Sequence, residues 1–378
     1  MSVPDTARML ADLRTLVECE SPSSDLAAVA RSAETVAELG SRLLGAEPEV
    51  IVLEGRTHLR WRRGGDDAKP GILLVGHHDT VWPLGSLDSH PWQVDGDRIQ
   101  GPGCFDMKAG LVQLFHALAV EPGSASSWSW SSSPMTVLVT GDEELGAPSS
   151  RELIESEARR ARAALVLEAS ADGGALKTAR KGVAMYQLSV KGKAAHAGLE
   201  PWNGVNASVE LAAQVLALTK LDRGPDGATV TPAVMTAGTT TNTVPAAGSV
   251  SIDCRVPSIA EFDRVDAGLR ALVPHLEGAS LTLDGGLRHP PMEPESSAAL
   301  YELAVAVCRD LGLPQPGSAR VGGASDGNLT AGVGTPTLDG LGAVGGNAHA
   351  PGEHVLASTM APRTQMLHGI IARLLSAS

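Results

Sequence analysis

The sequence has 378 residues, of which 43% are hydrophobic and 3% aromatic, and its formal net charge is −13. This length exceeds that of one ordinary domain, so we expect two lobes with mainly aliphatic cores. The negative charge and the lack of a basic stripe argue against a nucleic-acid-binding surface, because phosphate binding needs clustered lysine and arginine.

The sequence also gives no sign of secretion or membrane insertion. No apolar run reaches the roughly 20 residues of a membrane-spanning helix, and the charged, amphipathic N-terminal segment is unlike a secretory signal. The four cysteines, Cys19, Cys104, Cys254 and Cys308, have no CxxC spacing. This favours reduced thiols over disulfides or a thiolate zinc site. We therefore expect a cytoplasmic protein.

The first 179 residues alternate between predicted helices and strands. Apolar residues at helical spacing predict two helices within the first 40 residues, separated by a Ser/Pro turn. Further helices are predicted at 109–120 and 151–163, and strands near residue 50, at 71–76, at 135–140 and at 163–170. The Ser-rich segment 121–134 breaks the periodicity, so we expect an exposed loop there despite its two tryptophans.

The pattern changes near residue 180. An alternating strand (185–193) precedes a helix (204–220), a second alternating strand (248–256), another helix (263–273) and a strand that begins at 280. We interpret these five elements as parts of a β-α-β-β-α-β succession, which predicts a compact ferredoxin-like α+β unit inserted into the first lobe. From about residue 290, a helix and a Gly-rich region resume the style of the first lobe.

Acids and a histidine follow three of the apolar strands. In an α/β sheet, ligands gather at the carboxyl ends of the strands, so we expect these side chains to meet at one edge of the sheet. The residues concerned are His77 and Asp79 after the first of these strands, Glu143 and Glu144 after the second, and Glu168 after the third.

Five residues have the chemistry of a two-metal site. Such a site holds two divalent cations about 3.5–4 Å apart that share a carboxylate. Asp106, in the loop GPGCFDMKAG, would be the shared carboxylate. One cation would be held by His77 and Glu168, and the other by Glu144 and His349. Imidazole and carboxylate ligands without thiolates favour two zinc ions, with cobalt or manganese as alternatives.

Two further acids would support this site. Asp79, two residues after His77, would accept a hydrogen bond from the second imidazole nitrogen and so fix the tautomer of the ring. Glu143, beside the ligand Glu144, is suited to act as general base on the attacking water and then as acid toward the leaving amine.

The motifs around these residues form a set. They are GHHDT, GPGCFDMKAG, GDEELG, KGKAAHAG, NTVP and GGASDG, with the strand-end Glu168 and the spacing from His349 to Glu353. Over essentially the whole chain, this set resembles the aminoacylase and glutamate carboxypeptidase superfamily of two-zinc metallopeptidases. The resemblance implies an α/β catalytic domain with a central mixed sheet flanked by helices (1–179 and 289–378). It also implies an inserted lid or dimerisation domain (180–288).

The resemblance also assigns residue roles. It gives the same five metal ligands and the same roles for Glu143 and Asp79, and it alone favours His349 over the nearby His354. It adds His196, which would stabilise the tetrahedral intermediate, and Asn242 and Arg288, which would bind the carboxylate end of the substrate. The guanidinium fork of arginine suits that task. His78 has no match in the motif, so we expect a structural role.

These residues predict a metal-dependent hydrolase that cleaves an amide bond of a small peptide or N-acyl amino acid with a free carboxylate. Glu168 and the GPG sequence resemble the glutamate carboxypeptidase branch of this superfamily, which implies an enzyme that releases a C-terminal residue. An N-acyl-amino-acid deacylase, similar to acetylornithine deacetylase or succinyl-diaminopimelate desuccinylase, is the alternative. A catalytically silent metal-binding assembly protein would have lost the base or ligands, and all are present. A homodimer through the inserted domain is expected from the resemblance.

Overall fold

The computed structural model describes residues 4–64, 71–119, 130 and 133–376. Residue contacts divide the chain into two compact units. The first unit comprises Met1–Ala179, Pro294–Val321 and Ser325–Ser378, and the second comprises Arg180–Glu293 and Gly322–Ala324. The sequence placed the second boundary after residue 288. The roles of the units as catalytic and lid domains remain predictions.

The secondary structure follows in chain order. Up to the unit boundary the elements are α1 (Thr6–Glu18), α2 (Leu26–Leu44), β1 (Glu49–Leu53), β2 (Arg56–Arg63), β3 (Gly71–His77), α3 (Ser86–Ser89), β4 (Gln93–Asp95), β5 (Arg98–Gln100), α4 (Ala109–Ala119), β6 (Met135–Thr140), α5 (Arg151–Arg159), β7 (Ala161–Val166) and β8 (Leu176–Arg180). The second unit contributes β9 (Gly182–Lys191), α6 (Ala207–Leu218), β10 (Thr229–Ala237), β11 (Ala247–Val256), α7 (Ile259–Arg270) and β12 (Ser280–His289). The remaining elements are α8 (Pro294–Leu311), β13 (Ser318–Val321), α9 (Asp326–Gly332), β14 (Thr337–Leu338), β15 (Gly345–Gly346), β16 (His354–Leu356) and α10 (Ala357–Ser376).

A six-stranded mixed sheet forms the centre of the first unit, in the order β1-β2-β6-β3-β7-β14. The pairs β1–β2 and β2–β6 are antiparallel, whereas β6, β3, β7 and β14 are parallel neighbours. The middle of β3 is buried on both faces because helices cover the sheet from both sides. Leu73 and Val75 pack in the cluster that includes Ile154 of α5, and Leu74 packs in the larger cluster that includes Leu111 of α4. This architecture confirms the predicted fold class.

Two features of the first unit differ from the sequence-based expectations. Strand β2 was not predicted, because its four arginines and histidine hide the apolar alternation. Its Leu59 and Trp61 are nonetheless buried. Trp130 is also buried, so the prediction of an exposed loop over 121–134 is wrong at this residue. Residues 121–129 and 131–132 lie outside the described residues.

The second unit folds around a four-stranded antiparallel sheet in the order β10-β11-β9-β12. Its buried core includes Tyr186 and Leu188 of β9, Leu211 of α6, Ile252 of β11 and Val265 of α7. The succession β-α-β-β-α-β and this strand order are those of a ferredoxin-like unit, as predicted. In the described part of the chain, no helix is both long and apolar enough to span a bilayer.

Candidate metal centre

The carboxyl ends of three parallel strands create the candidate centre in the first unit. Strands β6, β3 and β7 are neighbours, so their ends lie at the same edge of the sheet. His77 is the last residue of β3 and pairs with Thr140, the last residue of β6. Glu168 follows β7 by two residues. The sheet register therefore brings together side chains that are far apart in the sequence.

One group of candidate ligands consists of His77, Asp106 and Glu168, whose ligand atoms all lie within 4.8 Å of one another. His77 Nε2 lies 3.3 Å from Asp106 Oδ1 and 3.5 Å from Glu168 Oε1. The His77 side chain is 1% exposed. This half of the centre is therefore built into the protein interior.

A second group consists of Asp106, Glu144 and His349, with the same 4.8 Å limit between ligand atoms. His349 Nε2 lies 3.0 Å from Asp106 Oδ2 and 3.2 Å from Glu144 Oε2. Asp106 thus presents one carboxylate oxygen to each group. The five predicted ligands converge on a shared aspartate. His354, the alternative to His349, belongs to neither group found among the described residues.

The buried polar atoms of the centre fit a metal site. Among the described residues, His77 Nε2, Asp106 Oδ1 and Glu144 Oε1 are buried atoms without a hydrogen-bond partner. A buried polar atom without a partner is costly and calls for an explanation such as a bound ion. Imidazole nitrogens and carboxylate oxygens are ligands of zinc and related divalent cations. The donor set and its unsatisfied atoms therefore suit divalent cations.

The carboxylates dominate the electrostatics of the centre. Burial opposes protonation of His77, but the carboxylates of Asp106, Asp79 and Glu168 outweigh it and hold the pKa of the imidazole well above its usual range. Asp106 and Glu144 raise the pKa of His349 to about 10. Both imidazoles thus lie in a strongly negative environment that favours any positive charge, whether a proton or a metal cation.

Asp79 connects the histidine at the end of β3 to the turn after β6. Its carboxylate accepts hydrogen bonds from the backbone N–H groups of Glu143 and Glu144, each at 3.3 Å, and from Ser23 Oγ at 2.7 Å. His77 Nδ1 lies 3.0 Å from the Asp79 carbonyl oxygen and 3.4 Å from Asp79 Oδ1. Both contacts are with oxygen acceptors, so Nδ1 carries a proton, and Nε2, which faces Asp106 and Glu168, is the ring nitrogen that would bind a cation.

Glu143 lies beside the ligand groups without belonging to them. It starts the short 3₁₀ turn Glu143–Leu145, and its Oε2 is 3.9 Å from His77 Nε2. Burial raises the pKa of the Glu143 carboxyl well above its ordinary value, and the carboxylates of Glu168 and Asp326 act in the same direction. A carboxyl group with a raised pKa accepts a proton more readily and can later return it.

The three remaining predicted residues lie in the second unit, where all three are exposed. The segments of His196 and Asn242 run side by side, since Ala197 N–H donates to the Asn242 carbonyl at 2.9 Å. His196 Nδ1 accepts from the N–H groups of Gly198 and Leu199, both at 3.1 Å. Arg288 lies on β12 at an irregularity in its pairing with β9, a feature that re-aims side chains.

His78, unlike its neighbour His77, belongs to neither ligand group found among the described residues. It is fully buried, and its Nε2 lies 3.0 Å from the Thr57 carbonyl. Burial lowers the pKa of His78 to about 4. The ring is therefore neutral at physiological pH and joins β3 to β2, which agrees with the structural role expected from the sequence.

Three buried acids near the centre were not predicted to act there. Asp142 accepts hydrogen bonds from the Ser149 and Ser150 hydroxyls and ties down the loop after the 3₁₀ turn. Burial raises the pKa of Asp326 to about 8. Glu353 accepts hydrogen bonds from the loop that carries Asp106. Asp326 lies in the GGASDG motif, and Glu353 ends the spacing that begins at His349. Neither pattern indicates which groups these carboxylates contact.

Comparison with known sequences agrees with this geometry. The model of peptidase family M20/M25/M40 matches residues 73–373. Carboxypeptidase G2 of Pseudomonas sp. (strain RS-16) is 32% identical over 316 residues, which cover 82% of this chain and 74% of that protein. Succinyl-diaminopimelate desuccinylase of Ectopseudomonas mendocina (strain ymp) is 26% identical over 352 residues, which cover 88% of this chain and 90% of that protein.

Solved structures share the fold across nearly the whole chain. Aminopeptidase PepT from Bacillus cereus ATCC 10987 superposes with a TM-score of 0.77 at 21% identity, covering 99% of this chain and 100% of that chain. The M20 family metallo-carboxypeptidase Sso-CP2 from Sulfolobus solfataricus gives 0.72 at 16% identity, covering 96% and 98%. Together with the family match, these likenesses confirm the resemblance found in the sequence. The chain belongs to peptidase family M20/M25/M40 and is a metal-dependent hydrolase.

Proposed function

We propose that the protein is a two-zinc amide hydrolase. Asp106 is the shared ligand, with His77 and Glu168 for one cation and Glu144 and His349 for the other. The observation that carries this proposal is the position of Asp106, whose two carboxylate oxygens each face one histidine, at 3.3 and 3.0 Å. Two bound divalent cations would polarise the amide carbonyl and make water more acidic.

Glu143 is the proposed proton carrier. Its carboxylate accepts the proton of the attacking water and then delivers that proton to the leaving amine, so one side chain serves both halves of the hydrolysis. The backbone N–H of Glu143 donates to Asp79. Asp79 therefore holds the base in place while its carbonyl oxygen accepts from His77 Nδ1.

The Glu143→Ala variant tests this role. We expect turnover to fall by about 10²–10⁴-fold, which is the usual contribution of a positioned general base. The zinc content, measured by elemental analysis, should stay at the wild-type value, and circular dichroism should show a folded protein. Wild-type turnover by the variant would contradict the proposed role of Glu143.

The proposed substrate ends in a free carboxylate, and the leading reaction is release of a C-terminal amino acid such as glutamate. The 32% identity with carboxypeptidase G2 supports this choice, as does the motif resemblance that assigns Asn242 and Arg288 to the substrate carboxylate. An arginine can hold a carboxylate through two parallel hydrogen bonds. Arg288→Lys keeps the charge but loses that fork, so KM should rise more than kcat falls.

The hydrogen bonding of His196 supports its proposed role at the developing oxyanion. Because Nδ1 accepts two backbone N–H groups, the neutral ring carries its proton on Nε2. That N–H is a donor of the kind that stabilises negative charge on oxygen in a transition state. His196→Ala should therefore lower kcat with little change in KM, and a change in KM alone would contradict the assignment.

Removal of an N-acyl group is the second candidate reaction. Succinyl-diaminopimelate desuccinylases align over most of this chain at 26% identity. A panel of N-acyl amino acids, dipeptides and pteroyl-glutamate conjugates, assayed with added zinc and with chelator, separates the two reactions. Hydrolysis of only the N-acyl amino acids would favour deacylation. No zinc-dependent hydrolysis of any compound would contradict the proposed function.

We also propose a homodimer formed through the second unit. Strand β10 lies at the edge of its sheet, the position at which strands of two chains can pair. Its Val234 and Met235 are exposed, as are Val209 and Leu216 of α6. Exposed apolar side chains can become buried when two chains associate. Sedimentation equilibrium that shows only monomer at micromolar concentrations would contradict the dimer.

A cytoplasmic location is proposed from the thiols. Cys19, Cys104, Cys254 and Cys308 are all free, and the last three are buried. Unpaired cysteines are typical of proteins from a reducing compartment. Fractionation of the native host, with immunodetection of the protein in each fraction, tests this location.

A further inference from the structure

Glu353 holds a buried carboxylate against the loop that carries Asp106. It lies just before β16, and 3% of the residue is exposed. Its Oε1 accepts from the backbone N–H groups of Phe105 at 2.9 Å and Asp106 at 3.0 Å. Its Oε2 accepts from the N–H of Gly103 at 2.9 Å and from Trp82 Nε1 at 2.6 Å. Two oxygens with four lone pairs thus meet four donors.

This carboxylate supplies hydrogen bonds that the loop does not supply itself. Residues 104–108 form a single wide turn, but Asp106 has non-helical backbone angles of φ −116° and ψ 96°. The N–H groups of Cys104 and Lys108 find carbonyl partners within the loop, at Gly101 and Gly103. Those of Phe105 and Asp106 bond to Glu353 instead. The orientation of the Asp106 backbone, from which its side chain projects, therefore depends on Glu353.

Glu353 also belongs to the loop that carries His349. It follows His349 by four residues, and its N–H donates to the Ala350 carbonyl at 3.1 Å. His349 itself has a left-handed backbone with φ +62°. Residues other than glycine adopt this conformation mainly where the surrounding structure enforces it. The same residue thus connects the Asp106 loop to the His349 loop.

We propose that Glu353 is a positioning residue that fixes the shared ligand Asp106 relative to His349, so that both cations are held at once. The inference rests on the proposed two-metal function. Groups that orient metal ligands commonly change metal affinity about 10–100-fold when they are replaced. A carboxylate that served stability alone would not alter the affinity of the folded protein for metal.

Replacement by glutamine discriminates between these roles. In Glu353→Gln one oxygen still accepts two N–H groups, but the new amide NH₂ faces the other two donors, which lose their acceptor. Trp82→Phe is the milder change, because it removes a single donor from Oε2 and keeps the three backbone bonds. The matched control is Glu157→Gln, since Glu157 is also buried in the first unit and accepts from Arg60 Nη1 at 2.7 Å.

The test measures zinc affinity and stoichiometry by competition with a chromophoric chelator, together with the visible spectrum of the cobalt-loaded full-length protein. For Glu353→Gln we expect about 10–100-fold weaker binding of at least one of the two zinc ions, and an altered cobalt spectrum. Trp82→Phe should show a smaller weakening in the same direction. Glu157→Gln should lower thermal stability but leave zinc affinity and the cobalt spectrum unchanged.

Unchanged zinc affinity and cobalt spectrum in folded Glu353→Gln would overturn the inference. If that variant does not fold, unchanged values in Trp82→Phe would overturn it as well. Failure of the proposed function has a different signature, because the wild-type protein itself would then bind fewer than two zinc ions or show no zinc-dependent hydrolysis.

Discussion

The two halves of the candidate metal centre are held by different kinds of structure. His77 ends a central strand, its side chain is 1% exposed, and Asp79 contacts its second ring nitrogen. His349 lies in a loop with a left-handed backbone, and its side chain is 48% exposed. Asp106 belongs to both halves. The sheet fixes one histidine, whereas hydrogen bonding within loops fixes the other.

This difference implies an order of binding strength. A ligand set held by a sheet is already arranged before a cation arrives, so little ordering entropy is lost on binding. A ligand on an exposed loop must be ordered, and water competes for the cation. We therefore expect the His77 half to bind its zinc more tightly, and the His349 half to exchange its zinc first when a chelator is added.

Removal of the buried histidine should have the largest effect. In His77→Ala the buried carboxylates of Asp79, Asp106 and Glu168 lose the imidazole that faces them, and loss of one partner from a buried ion pair costs about 3–5 kcal/mol of the free energy of unfolding. Turnover should fall by more than about 10³-fold, because a bound cation contributes several kcal/mol of charge stabilisation. Urea unfolding, zinc analysis and substrate hydrolysis check these outcomes. A variant with two zinc ions and wild-type turnover would refute the assignment of His77.

Removal of the exposed histidine should separate metal content from stability. His349→Ala should keep the zinc of the His77 half and lose most of its affinity for the other. In metal-free protein the free energy of unfolding should change by less than about 1 kcal/mol, since ion pairs of half-exposed groups contribute little. Equal losses of stability in His349→Ala and His77→Ala would break the contrast between the two halves.

Proton release tests the charge of the exposed half. Asp106 and Glu144 raise the pKa of His349 to about 10, so the metal-free ring is protonated at pH 7.5, and zinc must displace that proton. Wild-type protein should release about one more proton than His349→Ala on binding zinc. Calorimetry in buffers of different ionisation enthalpy measures the difference, and equal release by both proteins would contradict the raised pKa.

The raised pKa of His349 also makes the stability of the metal-free protein depend on pH. The folded-state pKa of His349 lies above its ordinary value of 6.5. The stabilisation from its protonated form is therefore fully present below pH 6.5 and is lost as the pH rises through about 10. Because the side chain is half exposed, solvent screens the ion pair and the loss should be small.

The contrast between the halves also explains how far the sequence predicted the site. Continuous apolar runs predicted strands β3, β6 and β7, and parallel neighbours end at the same sheet edge, so His77, Glu144 and Glu168 could be expected to meet. Asp106 and His349 lie in loops without periodicity, and the choice of His349 over His354 came from motif resemblance alone.

What the sequence did not predict depends on contacts between distant residues. Glu353 bonds to backbone amides about 250 residues earlier in the chain, and no local pattern marks a carboxylate whose partners are main-chain groups. Trp130 is buried although its neighbours are serines. Strand β2 is stabilised by pairing with β1 and β6 rather than by an apolar run.

We expect the smallest effect from replacing His354, which the sequence analysis considered as the alternative to His349. His354 lies on β16, and its Nδ1 donates to the Gly352 carbonyl at 3.1 Å. His354→Ala should lose about 0.5–1.5 kcal/mol of unfolding free energy with that hydrogen bond. Zinc stoichiometry and proton release should match the wild type, because this ring belongs to neither ligand group. Loss of one zinc in His354→Ala, with full retention in His349→Ala, would transfer the ligand assignment to His354 and make the loop-held half of the centre a strand-held one.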